Sequence, residues 1–207
     1  MGTKLPCVTM MVPTTRSRVK FQHLLVKNVP SQTDSHEKLE LLVVGDEDPV
    51  TRKVFEGVPR LLPGIRFRYI ECGISDNIGR KRNFCCSKTF HKVIAMMDDD
   101  DIYSSECIEH PVGEMTRLKK DNVGCRDMIL MWPSPDVETW YVRGSSIHED
   151  TMVFRKGHWR AHGFREFRTG EEAKMVSVSF RNQIDVRRVM MCVTHNSNTF
   201  NKSSLLR

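Results

Sequence analysis

Four consecutive aspartates come directly after a short apolar stretch, and this junction constrains the fold more than any other feature of the chain. The five apolar residues at 93–97 have the length of a buried strand, and Asp98, Asp99, Asp100 and Asp101 mark where that strand leaves the core. In an open α/β sheet, ligands bind in the crevice beyond the carboxyl ends of the strands. Neighbouring carboxylates repel one another, and a hard divalent cation relieves part of that repulsion. We therefore interpret Asp98-x-Asp100 as a site for a metal and a nucleotide diphosphate. The alternative is a solvated acidic turn or a helix N-terminus.

The length and composition of the chain fit one domain with a sizeable core. It has 207 residues, of which 39% are hydrophobic and 28% charged. No apolar run approaches the roughly 20 residues that a membrane span needs. We expect a single domain over residues 1–200 and a C-terminal tail over 201–207. Pro6 and Thr9 interrupt the N-terminal apolar stretch, so no secretory signal is predicted and a cytoplasmic location is expected.

The cysteines and the net charge limit the classes of function. Seven cysteines without a CxxC pair predict reduced, mostly buried thiols rather than a disulfide framework or a structural zinc site. The formal charge of +6, with a local concentration at Arg80, Lys81 and Arg82, favours an anionic ligand. By itself it does not indicate nucleic acid.

Apolar strands and amphipathic helices alternate through the first half of the chain. This alternation predicts an α/β fold with a mostly parallel central sheet and helices on its faces. The predicted elements of this half are strands over 7–12, 39–44, 65–69 and 93–97, and helices over 18–28 and near 54–58. Beyond Tyr103 the pattern is less regular. It predicts helices over 104–120, near 159 and over 170–180, and strands over 125–132, 140–141, 151–154 and 189–194.

Four features in this order carry a family resemblance. They are Pro13-Thr14 after the first strand, Asp46 after the second, the segment Gly79-Arg80-Lys81-Arg82-Asn83, and the aspartate run after the fourth. Together they resemble family 2-like glycosyltransferases of the GT-A fold. Those enzymes share a strand ending in Pro-Thr, a strand ending in acids, a Gly-x-x-Arg-Asn segment and a strand ending in Asp-x-Asp. The resemblance covers residues 6–103 well and continues more loosely to His195-x-x-Asn198-Thr199.

The resemblance implies a single Rossmann-like nucleotide-binding domain that transfers a sugar from a UDP-sugar, such as UDP-glucose or a related hexose, to a glycan or glycoprotein. Within the family, the compact size, the four-aspartate run and the terminal His-x-x-Asn-Thr are similar to small glycosyltransferases encoded by chlorella viruses, which are associated with capsid glycosylation. It implies no nucleic-acid partner. The acceptor, the stereochemical outcome and the oligomeric state are not legible from the sequence.

The resemblance also assigns metal ligands. Asp100 is expected to bind Mn²⁺ or Mg²⁺ directly, and Asp98 to contact the ribose or a metal-bound water. His195 follows the last predicted strand, where its imidazole could add a nitrogen ligand, which suits manganese better than magnesium. The alternative for His195 is a structural or solvated histidine.

The nucleotide-binding residues follow from the same resemblance. Arg82 would neutralise the diphosphate or lie along the base, and Asn83 would help to hold its segment. Asp46 would accept a hydrogen bond from the uracil N–H, and the Pro13-Thr14 backbone would line the base pocket. The alternatives are a turn aspartate at Asp46 and a solvated basic helix start at Arg80 and Lys81.

An inverting transferase needs a general base near the acceptor hydroxyl. Glu171 and Glu172 stand where the family has a Glu-Asp pair, and Glu172 matches the catalytic position, although it is one methylene longer than the family's aspartate. The carboxylates in His148-Glu149-Asp150 are a rival pair.

Two other functions are consistent with parts of the sequence. A nucleotidyltransferase uses the same metal and nucleotide chemistry, but it usually carries a glycine-rich loop after the first strand, and Pro13-Thr14-Thr15-Arg16 contains no glycine. A non-catalytic nucleotide- or nucleic-acid-binding protein would use the positive charge, but the clustered acids would repel a phosphate backbone.

Overall fold

The structure is a computed structural model that describes residues 6–33, 38–75, 77–133, 136–166, 183–196 and 198. Within these residues, strands and helices alternate to give an α/β fold, with one six-stranded and one four-stranded sheet. The strands are β1 (Val8–Pro13), β2 (Leu39–Asp46), β3 (Arg66–Cys72), β4 (Val93–Met96), β5 (Ile102–Tyr103), β6 (Asn122–Val123), β7 (Asp127–Trp132), β8 (Glu138–Arg143), β9 (Val153–Arg155) and β10 (Met190–Val193). The α-helices are α1 (Gln22–Asn28), α2 (Pro49–Glu56), α3 (Ile78–Lys88), α4 (Glu109–Arg117) and α5 (Lys156–His162), and single 3-10 segments lie at Arg16–Phe21, Val58–Leu61, Glu149–Thr151 and Val186–Arg188.

The large sheet has the strand order β3-β2-β1-β4-β9-β6. The first four of these strands are parallel, and β9 is antiparallel to β4. Successive strands β1, β2 and β3 extend the sheet in one direction, and β4 then pairs with the other side of β1. The strand order therefore reverses between β1 and β4, and ligands bind at such a switch point, beyond the carboxyl ends of the strands.

The central strands are buried on both faces. All six residues of β1 and all four of β4 are buried, which explains why they read as continuous apolar runs rather than as alternating ones. Met10 and Ala95 face one apolar cluster, while Met11 and Ile94 face the other. The parallel register pairs Met11 of β1 with Met96 of β4, so the residues that follow the two strands leave the sheet at the same edge.

The predicted fold class is confirmed, but several element boundaries differ. The predicted helix over 18–28 is a 3-10 segment, Arg16–Phe21, followed by α1. The predicted helix over 104–120 is shorter, and α4 tolerates Pro111 because the first-turn N–H groups of a helix have no partner within it. The predicted helix over 170–180 and the predicted tail over 201–207 lie outside the described residues.

No helix in the described part of the chain combines the length and the apolar character that a membrane span requires.

Candidate active site

The aspartate run lies at the switch point and is buried. β4 ends at Met96, and the run forms a turn in which Asp99, Asp100 and Asp101 are each 1% exposed and Asp98 is 8% exposed. A solvated acidic turn is therefore excluded. Burying four carboxylates is costly unless cations or hydrogen bonds compensate their charge.

Three of the carboxylates converge on one point. Oxygen atoms of Asp98, Asp100 and Asp101 all lie within 4.8 Å of one another. Asp98 Oδ1 is buried and has no hydrogen-bond partner in the described residues. A set of carboxylate oxygens is the donor set that hard cations such as Mg²⁺ and Mn²⁺ prefer, so these residues fit a divalent ion.

Asp101 belongs to this set, although it was not among the residues predicted to bind the metal. Side chains alternate only along an extended chain, and the run is a turn, so adjacent Asp100 and Asp101 can face the same point. The Val193 N–H donates to Asp101 Oδ1 (2.8 Å), and Asn28 Nδ2 donates to the Asp101 carbonyl (2.8 Å). These bonds fix the turn against β10 and α1.

Arg18 supplies a positive charge to the run. Its Nη1 atom lies 3.4 Å from Asp98 Oδ2, 3.5 Å from Asp99 Oδ1 and 3.3 Å from Asp100 Oδ1. Burial disfavours the charged guanidinium, but the surrounding carboxylates outweigh it and raise the pKa of Arg18. Arg18 was not among the predicted site residues, because its inward direction depends on the 3-10 segment Arg16–Phe21, which the helical spacing did not reveal.

Burial also changes the acidity of the run. It raises the pKa of Asp99 to about 7 even though Arg18 opposes the shift, and it raises the pKa of Asp98 in the same way. Thr14 Oγ1 donates a short hydrogen bond to Asp99 Oδ2, which joins the end of β1 to the turn after β4.

His195 is brought to the aspartate run by the end of β10. Its Nε2 atom lies 3.0 Å from Asp100 Oδ2 and 3.1 Å from Asn198 Nδ2. The backbone N–H of His195 donates to Asn198 Oδ1 (2.7 Å), and the imidazole stacks on Phe21 with 4.0 Å between ring centroids. The His-x-x-Asn pair therefore holds the imidazole next to Asp100.

Asp46 and Thr14 are joined by a buried lysine. Lys81 Nζ lies 2.5 Å from Asp46 Oδ1 and donates to the Thr14 carbonyl (2.9 Å). The Arg16 N–H lies 3.4 Å from Asp46 Oδ2. Lys81 is 2% exposed, so the interpretation of this residue as part of a solvated helix start was wrong, whereas Arg80 is exposed.

Arg82 makes an internal ion pair instead of facing solvent. Its Nη1 atom contacts Glu149 Oε2, and both side chains are buried. The pair connects α3 to the 3-10 segment Glu149–Thr151 and engages one of the two rival base carboxylates. A carboxylate oxygen of the other, Asp150, lies within 4.8 Å of ligand atoms of Asp101 and Cys192.

Asn83 fixes the chain after α5. Its Oδ1 atom accepts hydrogen bonds from Trp159 Nε1 (2.9 Å) and the Phe164 N–H (2.8 Å), and its Nδ2 atom donates to the Phe164 carbonyl (2.9 Å). A Cβ at Gly79 would lie 1.8 Å from the Arg165 carbonyl oxygen, so only glycine permits this approach. Glu171 and Glu172 lie outside the described residues.

Comparison of the chain with known protein families gives a match. The model of glycosyl transferase family 2 matches residues 12–168 of the chain. No curated protein sequence matches the chain.

Two solved structures share the fold. The mannosyltransferase PcManGT from Pyrobaculum calidifontis, in complex with GDP-Man and Mn²⁺, superposes with a TM-score of 0.72 at 14% identity, covering 95% of this chain and 59% of that one. S. aureus TarS 1-349, in complex with UDP-GlcNAc, superposes with a TM-score of 0.70 at 14% identity, covering 93% of this chain and 60% of that one. The chain thus spans less than two thirds of the length of either structure.

Proposed function

The chain belongs to glycosyl transferase family 2 and has the GT-A fold, and on that premise we propose that it transfers a hexose from a UDP-sugar to a glycan or glycoprotein in a metal-dependent reaction. The observation that carries the proposal is the buried group of Asp98, Asp100 and Asp101, whose oxygens lie within 4.8 Å of one another at the switch point of the sheet. Mn²⁺ in PcManGT and the nucleotide sugars in both neighbours support the same chemistry here.

In the proposed site, Asp98, Asp100 and Asp101 hold a Mn²⁺ or Mg²⁺ ion with oxygen ligands, and His195 Nε2 is close enough to Asp100 to add a nitrogen ligand. When bound, the ion neutralises the negative charge that develops on the leaving diphosphate. A mixed oxygen and nitrogen set favours Mn²⁺ over Mg²⁺.

The proposed base pocket is built around Asp46. Lys81 anchors Asp46 Oδ1, and among the described residues the other oxygen, Oδ2, has only the long 3.4 Å contact with the Arg16 N–H. This oxygen suits a ligand that presents an N–H group. Uracil has such a group at N3 and guanine at N1, whereas cytosine and adenine lack it in their usual tautomers. The pocket is therefore proposed to select bases with an imide-type N–H, with uracil preferred because of the family resemblance.

Calorimetric titration tests the proposal directly. UDP, GDP, CDP and ADP are titrated into the protein with Mn²⁺ and, separately, with excess chelator. We expect UDP to bind most tightly, GDP to bind more tightly than CDP or ADP, and all binding to weaken when the metal is removed. Equal affinity for UDP in both conditions would contradict metal-dependent binding.

A product assay separates the proposal from a nucleotidyltransferase. A glycosyltransferase incubated with UDP-glucose releases UDP, by transfer to an acceptor or slowly to water. A nucleotidyltransferase given UTP and a sugar phosphate releases pyrophosphate instead. Pyrophosphate without any UDP release would replace the proposed function by the second one.

The general base, the location and the natural acceptor are also proposals. We propose Glu172, next to Glu171, as the base that deprotonates the acceptor hydroxyl, on the family resemblance of this position. We propose a cytoplasmic enzyme acting on a glycoprotein, with viral capsid glycosylation suggested by the resemblance to chlorella-virus enzymes.

A further inference from the structure

Arg18 and a divalent cation would use two of the same carboxylates. The guanidinium contacts one oxygen each of Asp98, Asp99 and Asp100, and Asp98 and Asp100 are also two of the three carboxylates that converge into a possible metal site. The side chain of Arg18 is 11% exposed, so solvent screens it little. A metal ion bound to these carboxylates would therefore face a fixed positive charge at close range.

The contacts between Arg18 Nη1 and the three aspartates are suited to release. Charge-assisted hydrogen bonds between nitrogen and carboxylate oxygen are usually about 2.7–2.9 Å long. The three contacts of Nη1 are between 3.3 and 3.5 Å, so the guanidinium is shared among the carboxylates rather than locked to one of them. Its charge is permanent, because a guanidinium keeps its proton throughout the ordinary pH range.

A displaced guanidinium needs another anion. A charged group that leaves its partners and stays buried is costly unless it finds new ones. The diphosphate of a sugar nucleotide arrives at the same switch point together with the metal, and the planar guanidinium can bind phosphate oxygens in a bidentate manner.

We infer that Arg18 moves from the carboxylates to the donor diphosphate when the metal binds, so that metal and diphosphate bind cooperatively through this one side chain. The inference rests on the proposed metal-dependent transferase. It assigns Arg18 two successive partners and makes it a donor-binding residue. By linkage, whatever free energy the diphosphate adds to metal binding, the metal adds equally to diphosphate binding.

The test measures two affinities in three variants. Mn²⁺ is titrated alone, and UDP is titrated at saturating Mn²⁺, into the wild type, Arg18→Met, Arg18→Lys and Arg16→Met. Arg16 is the matched control, because it lies on the same 3-10 segment but its side chain is 70% exposed and contacts Asp48 instead.

For Arg18→Met we expect Mn²⁺ alone to bind roughly tenfold more tightly, because the competing guanidinium is gone. We expect UDP at saturating Mn²⁺ to bind roughly tenfold more weakly. Changes of this size are typical of coupled binding sites. Arg18→Lys keeps the charge but lacks the planar fork. It should bind Mn²⁺ much as the wild type does and bind UDP more weakly. Arg16→Met should match the wild type in both titrations.

Several results would overturn the inference. Unchanged or weaker Mn²⁺ binding by Arg18→Met would show that Arg18 does not compete with the metal. Wild-type UDP affinity in Arg18→Lys would show that only the charge matters, not transfer to phosphate. If Arg18→Met folds but is too unstable for calorimetry, its rise in Tm on adding Mn²⁺ should exceed that of the wild type, and an equal or smaller rise counts against the inference.

The failure of the proposed function would look different. In that case the wild type itself would bind UDP equally well with Mn²⁺ and with chelator. A wild type that needs Mn²⁺ for UDP binding, together with Arg18 variants that behave like it, would leave the proposed function standing and reject the role of Arg18 alone.

Discussion

At the scale of single residues, the carboxylates of the aspartate run differ in what already engages them. Asp98 Oδ1 is buried without a hydrogen-bond partner in the described part of the chain, whereas Asp101 Oδ1 accepts a hydrogen bond from the Val193 N–H. Asp99 is held by Thr14 and does not belong to the group of three that converges. Asp100 contacts side chains of the proposed site, Arg18 at Oδ1 and His195 at Oδ2, whereas Asp101 Oδ1 is held by the backbone of β10.

The first prediction concerns these differences. Asp98→Asn and Asp100→Asn should each abolish Mn²⁺ binding measured by calorimetry, because each removes a charged oxygen ligand from the group of three. Asp101→Asn should weaken Mn²⁺ binding to a smaller extent, because one oxygen of Asp101 already accepts a hydrogen bond from the backbone of β10. A larger loss for Asp101→Asn than for Asp100→Asn would show that the ion sits closer to β10 than we propose.

The second prediction concerns Lys81. Lys81→Met keeps most of the volume of this buried side chain but removes its ammonium group, so Asp46 Oδ1 loses its anchor. UDP affinity at saturating Mn²⁺ should fall roughly tenfold, the cost of about one charge-assisted hydrogen bond, while CDP affinity should change little. The control is Arg80→Met, one residue earlier and exposed. If Lys81→Met weakens UDP and CDP equally, Lys81 acts on the fold and not on the choice of base.

At the scale of elements, α3 connects three parts of the molecule. Lys81 reaches the end of β1 and β2, Arg82 reaches Glu149, and Asn83 holds the chain at Phe164. Asn77 caps the helix by accepting the Arg80 N–H at 2.8 Å, which fixes where the helix begins and thus which way each side chain points. One helix therefore sets the geometry of the proposed base pocket and of the segment leading toward residue 166.

The third prediction tests this connection at Asn83. Asn83→Ala leaves Trp159 Nε1 and the Phe164 backbone groups without their partner, so the free energy of unfolding in urea should fall by about 1–3 kcal/mol. Asn83→Asp keeps the acceptor but sets an oxygen against the Phe164 carbonyl, so it should also lower the free energy of unfolding. Ser87→Ala on the exposed side of the same helix serves as the control. A loss no larger for Asn83→Ala than for Ser87→Ala would mean that α3 does not hold this segment.

Much of the arrangement at the strand ends follows from the sequence. Pro13, Asp46 and Asp98 each come where an apolar strand stops, and parallel strands bring their carboxyl ends to one edge of a sheet, which places Thr14, Asp46 and the aspartate run near one another. The inward direction of Arg18 and Lys81 could not be predicted in the same way. It depends on a 3-10 segment and on how α3 packs against the sheet, and neither changes the hydrophobic spacing that the prediction used.

At the scale of the whole molecule, the last two strands of the large sheet, β9 and β6, come from parts of the chain that follow β4 at a distance. β9 pairs with β4 in the antiparallel direction and brings the 3-10 segment Glu149–Thr151 next to the site. The Met96 N–H donates to the Met152 carbonyl at 2.8 Å, which joins the end of β4 to the residue before β9. Glu149 is thereby placed against Arg82, which argues against its use as a freely accessible base.

The fourth prediction concerns the base. Glu172→Gln keeps the size of the side chain but removes the proton acceptor, so turnover should fall by on the order of 10²- to 10⁴-fold while UDP affinity stays the same. Asp150→Asn should leave turnover nearly intact. Glu149→Gln should mainly lower the free energy of unfolding, because it leaves the buried Arg82 without its anion. Near wild-type transfer by Glu172→Gln would end this assignment.

The long sequence separations within the acidic turn have a consequence for how the molecule folds. The bond between Thr14 and Asp99 joins residues 85 positions apart, and the contact between His195 and Asp100 joins residues 95 positions apart. Loops of this size close late. Folds rich in such contacts form slowly, because the chain loses conformational entropy on loop closure before the contacts stabilise the fold. The four aspartates must therefore stay hydrated through most of folding and lose their water only when β1 and β10 have docked. Ribosomal synthesis delivers β10 last of these strands, so the acidic turn is expected to be among the final parts of the molecule to become ordered.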